Sequence, residues 1–359
     1  MTVLYLGLEQ GLMRLDVNGR AEAQWVLRDV AAFSVAIDPK DPKYVYATTI
    51  GNGVFRSEDG GRTFVKGGEG VSSPLVWASS VSPTERTKCG GVVYVGSMPS
   101  AMWRSEDGGR TFRELESFQE LPGLPEAAFP PIPASSMIHM IATSFNRDQT
   151  VFAGIELGGI ARSSDGGETW TDTGAGPDCH QLLAHPMAPD RLYESDGGGY
   201  CESRDNGESW KLDYDGIPEE LSYFYDMAVD PGDPDNVITT VGRNQYQAHG
   251  INPYHFKKGV FQGAFDRSAV LSDTYATLYR KRGNASWEQL RNGLPDPEGH
   301  ELGRFATALG DDRGTIYYVT IPGELYRTTD GGDSWEQLPV TYPGDVDQLM
   351  VHCARATKE

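Results

Sequence analysis

The chain has 359 residues, 38% of them hydrophobic, with 43 Gly and 22 Pro, a composition of many tight turns rather than long helices. A formal charge of −20 repels phosphate backbones and anionic membrane surfaces, and no basic run offsets it, which argues against nucleic-acid and membrane partners. The first residues, MTVLYLGLEQGLMRLDV, lack the basic flank and cleavage site of a secretory signal. Cys89, Cys179, Cys201 and Cys353 lie far apart without CxxC spacing and read as reduced thiols. The expected location is the cytoplasm.

Taken in chain order, one phrase recurs: Ser57-Glu-Asp59-Gly-Gly-Arg-Thr-Phe64, Ser105-Glu-Asp107-Gly-Gly-Arg-Thr-Phe112, Ser163-Ser-Asp165-Gly-Gly-Glu-Thr-Trp170, Ser203-Arg-Asp205-Asn-Gly-Glu-Ser-Trp210 and Thr328-Thr-Asp330-Gly-Gly-Asp-Ser-Trp335. Two decayed copies keep the register, one from Lys281 to Trp287 and one from Leu15 to Trp25. Each copy reads as a hairpin turn: Asp or Asn bonds nearby amides, Gly supplies positive φ, and the final aromatic packs between sheets. A strand such as Gly53-Val-Phe-Arg56 precedes the turn. Before it comes an apolar strand pair such as Ser34-Val-Ala-Ile37 and Tyr44-Val-Tyr-Ala47. The unit is therefore four strands in ~40 residues, the size of a propeller blade.

The expected fold is an all-β, seven-bladed β-propeller of four-stranded antiparallel blades, one domain over 1–359, with an insertion at 242–276 between strands of the sixth blade. The N-terminal unit supplies only three strands. The last strand-like segment, Val346–Val351, is expected to complete that blade and close the ring.

The repeated phrase resembles the Asp-box, or bacterial neuraminidase repeat, of a propeller superfamily that includes sialidases, xyloglucanase-type glycoside hydrolases and a photosystem II assembly-factor group. The resemblance covers essentially the whole chain and implies the fold, with the boxes as scaffold. It does not extend to the sialidase Phe-Arg-Ile-Pro motif, which is absent.

Strand order puts the box turns on one face and the longer loops and blade connections on the other, the expected working face. Aligning the innermost strands gives a column of Phe33, Trp77, His139, His180, Tyr225 and Phe305 near the channel mouth. His185 and His352 are assigned to the box face, away from any site. The candidate catalytic residues are His139, His180, Asp226, Glu156 and Asp196, because paired carboxylates or imidazoles suit proton transfer and glycoside hydrolysis. The candidate ligand contacts are Trp77, Tyr225, Arg243, His249, His255, Lys258, Arg267 and Arg304, aromatic and cationic groups in an acidic chain. Three functions follow from these residues. One is an enzyme acting on a small polar or glycan-like substrate at the mouth. The second is a non-catalytic binding or assembly propeller. The third is a metal-dependent enzyme with a divalent metal on His139, His180 and His255.

Overall fold

The computed structural model describes all residues except 1, 18–20, 125–135, 244–273, 311, 322, 345–350 and 359. Seven antiparallel sheets surround a central channel as the blades of a β-propeller. Blade one begins at the N-terminus, and the next six hold the strands within 31–66, 76–114, 137–172, 179–213, 223–290 and 304–338. Each blade is sandwiched between two neighbours, so its middle strands must be apolar on both faces. Gly90–Ser97 and Val151–Glu156 are accordingly buried at every residue, whereas the outermost strands Val65–Lys66 and Thr171–Asp172 are exposed.

The repeated phrase folds as one self-contained hairpin. In its first full copy the Ser57 hydroxyl donates to Asp59 Oδ1 (2.7 Å) and accepts from the Gly61 amide (2.9 Å). Asp59 also accepts from the amide and hydroxyl of Thr63 at 2.9 and 2.6 Å. Gly60 and Gly61 have φ of 72° and 67°, the left-handed region that a side chain disfavours. The arginine before a box reaches the next blade: Arg162 donates to the Asn206 carbonyl at 3.0 Å and Arg280 to the Gly331 carbonyl at 2.9 Å. The repeat thus fixes both the hairpin and the spacing between blades.

The ring closes twice on blade one. Val340–Thr341 adds in parallel to the outer strand Ala21–Arg28, and Val351–Lys358 pairs antiparallel with Thr2–Leu8 as the innermost strand. Blade one therefore has five strands. The closing strand is described over Val351–Lys358, and of the expected Val346–Val351 all but Val351 falls outside the described residues. In blade six the second strand ends at Gly242 and the third begins at Ala276, paired with each other, so the insertion leaves from between them.

Candidate functional site

A bulge recurs at one level of the innermost strands. Around Phe33, Trp77, His139, His180 and His352 the ladder register shifts by one residue, and Tyr225 and Asp226 together oppose Thr240. An extra residue without a ladder partner is re-aimed out of the sheet. These bulge residues, with Arg304 at the start of the blade-seven strand, border one cavity of about 100 Å³ in the channel. The ring is thus completed by Arg304 and His352, not by Phe305, which is buried against Tyr318 with ring centroids 5.1 Å apart. His352 joins it because the closing strand continues past this residue to Lys358, with the bulge at His352. His185 lies elsewhere, buried with its Nε2 3.1 Å from the Asp230 carbonyl oxygen.

Blades four and five bring two acid–imidazole pairs together. His139 Nδ1 is 3.0 Å from Glu156 Oε2. His180 Nε2 is 3.3 Å from Asp178 Oδ2 and 3.3 Å from the Tyr223 hydroxyl, while its Nδ1 donates to the Phe224 carbonyl at 2.7 Å. One ligand-type atom from each of Glu156, Asp178 and His180 lies within 4.8 Å of the others. The two imidazole rings are 6.0 Å apart, edge to face. Burial disfavours charge on Asp178 and His180, but their mutual bond and attraction outweigh it: Asp178 is held below the usual carboxylate range and His180 above the usual imidazole value. The second pair thus favours the charged form of each partner.

The remaining candidates divide. Asp196 Oδ2 accepts from the Asp178 amide (2.8 Å) and Oδ1 from the Gly198 amide (2.6 Å), so it shapes the loop that presents Asp178. Burial, only partly offset by those amides, raises its carboxyl. Asp226 accepts from Gln181 Nε2, the Met227 amide and the Phe305 amide at 2.8, 2.7 and 3.1 Å, a scaffold role joining blades five, six and seven. Arg304 stands over the Tyr225 ring at 4.2 Å and donates to its hydroxyl at 2.7 Å. Trp77 meets Phe33 edge-on at 4.5 Å. Arg243 is ion-paired with Glu298 at 3.0 Å and lies over Tyr275, outside the cavity lining. His249, His255, Lys258 and Arg267 fall outside the described residues.

Among the described residues the group with metal-ligand proximity is Glu156, Asp178 and His180, without His139, while His255 falls outside the described residues. Sequence reading passed over Asp178 and Tyr223. The signal for Asp178 was its place two residues before His180, at the entry of an innermost strand.

No protein-family model matches the chain. It is similar to the oligoxyloglucan-reducing end-specific xyloglucanase of Emericella nidulans, 25% identical over 191 residues. That match takes in 44% of this chain and 23% of the enzyme, so the chain spans about a quarter of the curated relative. The solved GH74 xyloglucanase from Xanthomonas campestris superposes with a TM-score of 0.64 at 17% identity, covering 99% of this chain and 52% of that one. YCF48 bound to D1 peptide superposes with a TM-score of 0.54 at 15% identity, covering 89% and 83%. These structural likenesses show the propeller fold.

Proposed function

We propose that this propeller is a glycoside-hydrolase-like protein that binds and cleaves a glycan-like substrate at its loop-rich mouth. The observation that carries the reading is the convergence of Glu156 and Asp178, each paired with an imidazole, with oxygens within 4.8 Å. Glycosidases work with two carboxylates in different protonation states, and a pair held ~5 Å apart suits a retaining route through a covalent intermediate. Asp178, kept ionised by His180, serves as the nucleophile or charge stabiliser. Glu156, bonded to His139, exchanges the proton with the leaving oxygen. Trp77 and Tyr225 give flat apolar faces for sugar rings. The likeness to xyloglucanases supports the substrate class, and xyloglucan oligosaccharides are the first substrates to assay.

The test is turnover by Glu156→Gln and Asp178→Asn. Each variant should lose about 10²–10⁴-fold in kcat, the usual range for a lost acid–base group, while keeping a native melting transition. Wild-type-like turnover in both would end this assignment.

A further inference from the structure

The channel wall away from Glu156 and Asp178 carries two cations that make no direct ion pair among the described residues, although the Asp226 charge acts on Arg304. Arg304 of blade seven and Arg355 of the closing strand both border the 100 Å³ cavity. Besides the Tyr225 hydroxyl, Arg304 reaches the Val351 carbonyl at 3.4 Å, and Arg355 donates to the Ala354 carbonyl at 2.8 Å. Asp226, another lining residue, has its carboxylate committed to Gln181, Met227 and Phe305. Two further lining residues have solvent-shielded nitrogens without a hydrogen-bond partner among the described residues, Trp77 Nε1 and His352 Nε2. Guanidinium groups withdrawn from water need a counter-charge, and shielded donors need acceptors.

We infer that the waist of the channel is an oxyanion site, in which Arg304 and Arg355 pair with a carboxylate or phosphate group and Trp77 and His352 supply further contacts. Its volume of about 100 Å³ leaves room for one such group. Glu156 and Asp178 across the channel repel a second negative charge, so the ligand carries its acid at one end. The anion is either free or the acidic group of a larger molecule whose neutral remainder lies toward the mouth. This site borders His139 and His180 of the acid–imidazole pairs but does not rest on their catalytic role.

Calorimetric titration at constant ionic strength, with inorganic phosphate, acetate, D-glucuronate and D-glucose as neutral control, tests the inference. Saturable one-to-one binding of an anion but not of glucose is expected. It should weaken at least tenfold in Arg355→Gln and in Arg304→Gln, recover in part in Arg355→Lys, and persist in Glu156→Gln. Trp77→Phe, which removes the indole N–H together with part of the ring, should weaken binding while keeping an aromatic against Phe33. Binding of phosphate or acetate alone identifies a free anion, and binding of glucuronate alone identifies an acid borne on a larger ligand. No saturable binding by any anion, or equal binding in wild type and the arginine variants, overturns the site. Anion binding that survives in Glu156→Gln after turnover is lost separates this outcome from that of the hydrolase reading.

Discussion

His352 stacks on Phe33 across the seam between blades one and two, the ring centroids 4.0 Å apart and the planes 15° from parallel. One ring comes from the closing strand and the other from the first strand laid down after blade one, so the contact forms only when the ring is shut. Burial, reinforced by the nearby Arg304 charge, drives the His352 pKa down to about 3. The native state therefore refuses a proton that the unfolded chain takes up below about pH 6.5. Stability falls as pH drops from that value toward 3, by roughly 1.4 kcal/mol per unit for this residue. His352→Phe should abolish that share, gaining on the wild type at pH 5 relative to pH 8 by about 2 kcal/mol in urea denaturation. An identical difference at both pH values would refute the linkage.

The Asp178–His180 pair gives the opposite signature. A raised imidazole stabilises the fold below its unfolded value of about 6.5 and loses that contribution as pH rises through the folded value. A depressed carboxyl stabilises above its unfolded value of about 3.9 and loses the contribution as pH falls through its folded value. The pair is thus most effective between about pH 4 and 6.5. Asp178→Asn should cost about 1–3 kcal/mol at pH 5.5, shrinking as the solution becomes alkaline. Denaturation curves at several pH values would show whether the cost follows this course.

Glu194 lies on the second strand of blade five, fully buried, and neither of its oxygens meets a hydrogen-bond partner among the described residues. Burial and the neighbouring Asp196 charge push its carboxyl up to about 8. The folded state holds the proton to that pH, whereas the unfolded chain releases it near 4.5. Stability therefore declines as pH rises from 4.5 to 8, by up to roughly 5 kcal/mol from this group. Glu194→Gln should be more stable than wild type at pH 8 and similar at pH 4. Melting temperatures that fail to diverge in this way would count against the assignment.

In the third full box, Asp165 accepts from Ser163 Oγ at 2.7 Å and from the amide and hydroxyl of Thr169 at 2.9 and 2.6 Å. Although burial works the other way, these bonds hold its carboxyl down at about 2. Its contribution is full above about pH 3.9 and is lost as pH falls through 2. Asp165→Ala should destabilise by about 1–3 kcal/mol without changing ligand affinity, and Asp165→Asn by less. Calorimetric melting alongside a binding titration separates the two effects.

The boxes were legible in the sequence because every bond within them is made inside seven residues, leaving one phrase per blade. The closing strand was less legible for a physical reason. Val351–Lys358 contains His352, Arg355, Thr357 and Lys358, since an innermost strand borders a hydrated channel and need not be apolar. The more hydrophobic Val346–Val351 therefore attracted the assignment. Choosing Phe305 over Arg304 was a slip of one residue, which on a strand exchanges the two faces. Glu156 was readable as a strand-end acid. Its link to His139 was not, because their 17-residue separation becomes a contact only once the hairpin register is set.

The recurring bulge separates two demands that a strand ordinarily couples. A side chain in a regular ladder must suit its sheet, its neighbouring blade and its cross-strand partner at once. The extra residue at the waist answers to none of the ladder pairings. Each of blades one to six thus contributes one position whose chemistry can be exchanged, imidazole for indole or phenol, while the hydrogen-bonded frame stays fixed. The channel can change what it recognises one sector at a time, and the propeller need not refold around the change.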